Sequence, residues 1–159
     1  MPYRATSASW NALMIAEENF RKHIGEYNTN TSFEEQVKDV LASFNDRIGM
    51  LITTRLMSEG YFKTELIESV WKELVEIVLL GNFSASHWAI NALKRIPVDR
   101  RVKYKEELIM LVFTSAQKET LAKDPDDISI KFGYQLLQEL NYEEVTVYEK
   151  KYYHYLDLE

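Results

Sequence analysis

The spacing of apolar residues does most to limit what this chain can become. Between Phe62 and Leu80, the residues Leu66, Ile67, Val70, Trp71, Leu74, Val75 and Val78 recur at intervals of three and four, the period of a buried helical face. Near Leu80 the stretch turns apolar all round. That predicts the central element of the fold, with Trp71, Leu74, Val75 and Val78 buried. No strand pattern competes. The one candidate, Val145 to Tyr148, is short and has no second strand of similar quality to pair with, so it reads as helix. Only 5 Gly and 3 Pro occur in 159 residues, which disfavours a turn-rich β architecture.

Punctuation places the remaining helices. The first runs from about Ser9 to Ile24, with Gly25 as its stop and residues 27–31 as a loop. Ser32 followed by Glu34 and Glu35 forms a capping box. A second helix then carries Val37, Val40, Leu41, Phe44, Ile48, Leu51 and Ile52 as far as Gly60. After the central helix Gly81 is a C-terminal stop. Ser84 caps a short helix that Pro97 ends, and Asp99 caps a fifth reaching about Thr120. Asp124-Pro125-Asp126-Asp127 opens another, with a cap, a proline at the first helical position and acids in the first turn. Asn141 separates it from the last. The expectation is an all-α single domain over residues 1–159, of six to seven antiparallel helices.

Several chemistries have no residues to carry them. Cysteine is absent, which removes disulfides, thiolate metal sites and cysteine nucleophiles. His23, His87 and His154 are far apart and show no metal-ligand spacing. The five glycines are isolated, so no phosphate loop forms, and no Gly-x-Ser-x-Gly elbow is present. Asp124 and Asp126 begin the spacing of a calcium loop, but Ile128 and Ser129 break it. The adjacent glutamate pairs, such as Glu106 and Glu107, point about 100° apart on a helix and do not converge. The reading is therefore a non-enzymatic protein without cofactor or metal. Residues 1–12 lack the apolar run of a signal peptide, and the longest apolar run, residues 77–80, is far short of the roughly 20 needed to span a bilayer. A soluble, cytoplasmic protein is expected.

Two resemblances follow. Trp88, Ala89, Ala92, Leu93 and Ile96 coincide in type with Phe132, Gly133, Leu136, Leu137 and Leu140, at an offset of 44 residues. The opening at residues 124–127 resembles that of the second helix of a HEAT repeat. Residues 62–157 thus resemble a short HEAT or armadillo-like array of helical pairs, the other arrangement being an irregular, non-repeating helical bundle. As a small, acidic, cysteine-free helical protein, the chain also resembles bacterial immunity proteins. These neutralise secreted or contact-delivered toxins in the producing cell, as in contact-dependent growth inhibition. No motif carries over site residues from that group.

Charge locates a candidate surface. Residues 1–118 hold 15 basic and 15 acidic side chains, whereas residues 119–159 hold 4 and 10. The net charge of −6 therefore sits in the last quarter, interleaved with Tyr134, Tyr142, Tyr148, Tyr152, Tyr153 and Tyr155. Such a surface suits a basic, nuclease-like protein partner; the alternative is a tyrosine-rich core beneath an ordinary acidic face. Tyr148, Tyr152 and Tyr155 share one helical face, expected to be the packed one, which leaves Tyr153 for contact. The partner-binding set is then Asp124, Asp126, Asp127, Glu139, Glu143, Glu144 and Tyr153. A smaller basic cluster, Lys94, Arg95, Arg100, Arg101, Lys103 and Lys105, is the opposing candidate. HEAT-like DNA-repair glycosylases bind DNA through basic concave surfaces, but the overall acidity weighs against nucleic acid here. An adaptor domain is the third reading.

Overall fold

The computed structural model describes residues 10–122 and 128–152. Among these there is no strand, and ten α-helices and one 3-10 turn follow one another. They are α1 (Trp10–Asn30), α2 (Phe33–Ser43), α3 (Arg47–Ser58), α4 (Thr64–Ser69), α5 (Trp71–Leu80), α6 (Phe83–Lys94), α7 (Val98–Arg101), the 3-10 turn Val102–Tyr104, α8 (Lys105–Ala122), α9 (Ile128–Glu139) and α10 (Glu144–Tyr152). The all-α architecture agrees with the apolar spacing. The number of helices exceeds the six to seven expected, because two long stretches break and the expected fifth helix is divided into α7, the 3-10 turn and α8.

The first break separates α2 from α3. Asp46 leaves the helical conformation and its side chain accepts a hydrogen bond from the Gly49 amide at 3.3 Å, capping a new helix. The second lies at Val70 (φ −119°, ψ 23°) and divides the expected central helix into α4 and α5. In the other direction, α1 passes through Gly25 and takes in most of the expected loop. Phe20 and Tyr27 meet edge to face at 5.4 Å, and the Tyr27 hydroxyl donates to Asp39 at 2.7 Å. These contacts hold the helix beyond the glycine. Asn82, rather than Ser84, caps α6, and α7 begins after Pro97 without a side-chain cap from Asp99. The Ser32 cap is present, accepting from the Glu35 amide. The segment at 145–148 is helical, and the acidic opening at 124–127 lies outside the described residues.

The core forms around α5, which packs against α6, α8 and α9. Leu74, Val75 and Val78 have no exposed surface. Trp71, expected to be buried, is only partly so. It stands at the first position of α5 and stacks on Tyr104 with ring centres 4.4 Å apart. Consecutive helices pack in pairs, α2 with α3, α5 with α6 and α8 with α9, and α3 also lies along α6. The arrangement is that of a helical bundle or a repeat-like stack. The two segments matched at an offset of 44 residues fall largely on α6 and α9. Their small residues mark close helix approach: Ala89 is fully buried, and a Cβ at Gly133 would meet the Tyr148 hydroxyl at 2.9 Å and Val112 at 3.0 Å.

One acid lies inside. Glu17 is fully buried on α1. Its Oε1 lies 2.6 Å from Arg21 Nη2 and 3.4 Å from Arg55 Nε, and both arginines also reach Glu59. The Tyr61 ring lies under Arg21 and the Trp88 ring under Arg55, each 5.5 Å away. Burial raises the pKa of Glu17, and the two arginines only partly oppose it.

Two predictions follow from these features. Gly81 adopts φ 78°, and a Cβ there would fall 2.2 Å from Ile128. Gly81→Ala should therefore cost at least about 2 kcal/mol in urea unfolding. The folded pKa of Glu17 exceeds its unfolded value, so its contribution is fully present below the ordinary glutamate range and declines as pH rises through the raised value. Wild-type stability relative to Glu17→Gln should accordingly fall as pH rises above the ordinary glutamate range; a difference independent of pH would contradict this.

Candidate functional site

In the sequence the basic cluster and the acidic C-terminal quarter are rival candidate surfaces. The fold brings them together. Lys94, at the end of α6, reaches Glu139, at the end of α9, at 2.6 Å. Lys105, the first residue of α8, reaches Glu144, the first of α10, at 3.3 Å, and its ammonium lies 5.0 Å from the centre of the Tyr142 ring. Arg100 on α7 places Nε 3.2 Å from both carboxylate oxygens of Glu68 on α4. Arg95 donates to the Ser58 carbonyl.

Of the expected contact residues, Glu139, Glu143 and Glu144 lie together around the α9–α10 connection. There Asn141 takes φ 59°, a left-handed conformation asparagine tolerates better than most residues. Glu143 is exposed and makes no ion pair among the described residues. Glu139 and Glu144 are half-buried and already paired. Asp124, Asp126, Asp127 and Tyr153 lie outside the described residues, as do Tyr155 and His154.

The described tyrosines of this quarter belong to the core. Tyr148 is fully buried and donates to the Ile130 carbonyl at 2.8 Å. Tyr152 is buried, with its hydroxyl 3.3 Å from the Phe113 carbonyl. Tyr134 stacks on Tyr148 with centres 6.4 Å apart, and Tyr142 is buried. The acidic surface therefore covers a tyrosine core, with Tyr148 and Tyr152 on the packed face of α10 as their spacing indicates.

Beneath the basic turn lies a set of buried polar atoms without hydrogen-bond partners among the described residues: Arg101 Nε, the Tyr104 and Tyr142 hydroxyls and Glu144 Oε2. Burial raises the pKa of both tyrosines. The nearby Glu68 charge adds to the rise for Tyr104, and Arg101 partly opposes it for both. Both phenols are neutral donors and acceptors at ordinary pH. Above them opens a groove of about 520 Å³ whose walls include Phe33, Glu65, Glu68, Trp71, Arg100 and Tyr104. The Trp71 and Tyr104 rings are nearly parallel, at 10°. The apolar spacing expects Trp71 on a buried helical face, and no pattern in the sequence singles out Glu65 or Glu68. The stack joins residues 33 positions apart, so no local pattern announces it.

A second hollow, of about 320 Å³, lies at the other end of α5 against Gly81, Phe83, Ile128, Lys131 and Phe132. Leu80 and Phe83 nearby are 70% and 78% exposed. Among the described residues, His23 and His87 are exposed, and no three His, Asp or Glu side chains are grouped so as to hold a metal ion. No helix there is long and apolar enough to cross a membrane. Compared with protein-family models, curated proteins and solved structures, the chain matches none.

The unpartnered phenol gives a test. Removing a buried hydroxyl that makes no hydrogen bond relieves a desolvation cost and breaks nothing. Tyr142→Phe should unfold within about 0.5 kcal/mol of the wild type, or above it. A loss of about 1.5 kcal/mol or more would mean that the hydroxyl is satisfied through water.

Proposed function

We propose that this chain is a protein-binding inhibitory module of the immunity type, which neutralises a basic, nuclease-like toxin in the bacterial cytoplasm. HEAT-like helical pairs are its scaffold. The observation that carries the reading is the fate of the opposing charges. Lys94, Arg100 and Lys105 are each held by a glutamate. Half of the six cations of that cluster are therefore engaged by acids of this chain, which weakens it as a surface for phosphates, since backbone binding needs several cations free to meet them. One-for-one pairing leaves the net charge of −6 intact, and with it the long-range attraction for a basic partner. The exposed Leu80 and Phe83 add apolar area beside Ile128, the residue directly after Asp127 in sequence. Exposed apolar area of this kind is common at the centre of an interface.

The test is association with the product of the adjacent upstream gene, the position a toxin gene occupies in such pairs. Glu143→Lys is the cleanest probe, because that side chain is exposed and replacing it disturbs no described ion pair. At low salt it should slow association by about three- to tenfold and flatten the salt dependence, with folding stability changed by less than about 0.5 kcal/mol. An unchanged rate and slope would remove the α9–α10 corner as the contact surface. Failure of the upstream product to bind the wild-type chain, or to be inhibited by it, would remove the inhibitor reading itself.

A further inference from the structure

We infer that the groove between α2, α4 and the basic turn is an anchor site for an arginine side chain of a basic protein partner. The inference rests on the inhibitory reading above and gives it a specific contact. Three features of the groove converge on a guanidinium group.

The first is a flat aromatic wall. Trp71 lies parallel to Tyr104 at 4.4 Å, so Tyr104 covers one face of the indole. The indole is only partly buried and lines the groove. A guanidinium is planar, weakly hydrated and attracted to the negative face of an aromatic ring, tryptophan best of all. The second is uncompensated acid. Glu65 is exposed and makes no ion pair among the described residues, and Glu68, one turn further along α4 on the same side, has a single partner, Arg100. The third is an unused polar atom. Tyr104 is only 8% exposed, it lines the groove, and its hydroxyl has no hydrogen-bond partner among the described residues. Glu68 is the strongest charged influence on it.

The chain's own Arg100 already shows the mode of recognition. Its Nε sits 3.2 Å from both Glu68 oxygens at the lip of the groove, with the side chain about half exposed. An incoming arginine would take Glu68 through two parallel N–H···O bonds, which Arg100 does not make with its single nitrogen. Arg100 would turn outward to solvent, so in the free protein it acts as a weak competitor. Lysine would fit less well, because a compact ammonium neither stacks on the indole nor bridges both oxygens.

The test needs no toxin. The peptide acetyl-Gly-Arg-Gly-amide is titrated into 15N-labelled protein, and the indole N–H resonance of Trp71 is followed, assigned by its loss in Trp71→Phe. The expected result is a saturable shift with the arginine peptide, weaker binding of the lysine peptide and none of the citrulline peptide, which keeps the shape without the charge. Glu68→Gln should weaken arginine binding about tenfold. Arg100→Ala should tighten it about threefold by removing the competitor. Arg100 is about half exposed and Glu68 largely buried, so urea midpoints are measured for both variants, and unchanged values would show that the fold is intact. Equal shifts with citrulline, equal affinity for lysine, an unaltered Glu68→Gln variant or weaker binding by Arg100→Ala would each overturn the proposal. Failure here leaves the inhibitor reading standing, and failure of the upstream product to bind leaves arginine capture by the groove standing.

Discussion

Burial of α5 is the constraint on which the other elements depend. Leu74, Val75 and Val78 have no exposed surface, and each fully buried side chain of this kind contributes about 1.5–3 kcal/mol. To reach that state the helix must be covered by three neighbours, α6, α8 and α9, which fixes their places. The two ends of α5 then become the two places where the surface has features of its own. At the N-terminal end Trp71 emerges into the groove. At the C-terminal end Gly81 turns in a left-handed conformation against Ile128, beside exposed Phe83. A short apolar rod thus positions a polar aromatic groove at one end and an apolar hollow at the other.

Charge is arranged by the same packing. Glu139 and Glu144 are far in sequence from Lys94 and Lys105, yet the packing of α6, α8, α9 and α10 sets them side by side. Exposed pairs of this kind contribute little to stability, a fraction of a kcal/mol each. Their effect is on what remains available to a partner. Lys94, Arg100 and Lys105 in the basic cluster are paired, while the acids at Glu143 and Glu65 make no ion pair among the described residues.

The fold class was legible because a helical face leaves a period in the sequence, as in Leu66, Val70, Leu74 and Val78. Caps and turns were legible where one side chain performs them locally, as Ser32 and Gly81 do. The breaks were less so. Phe44 and Ile48 keep the helical period across a gap, because both ends of the break face the same core, and only Asp46 marks it. Gly25 misled in the opposite sense: an exposed glycine weakens a helix by only about 1 kcal/mol, less than the packing of Phe20 and Tyr27 supplies. The candidate site was half legible. The acids of the last quarter could be counted, but their pairing with Lys94 and Lys105 is a property of tertiary contact. The Trp71–Tyr104 stack is equally non-local, and both residues read as ordinary members of apolar helical faces.

The last two helices are fastened in two independent ways. Lys94–Glu139 and Lys105–Glu144 tie them to the middle of the chain through ions, while Tyr152 bonds α10 to the Phe113 carbonyl of α8 and Tyr148 bonds it to the Ile130 carbonyl of α9. Dissolved salt acts on the first set and barely touches the second. In brine the C-terminal end would stay docked on its tyrosines after its ionic ties had been screened. The fold can thus outlast the electrostatic attraction that guides a partner to it.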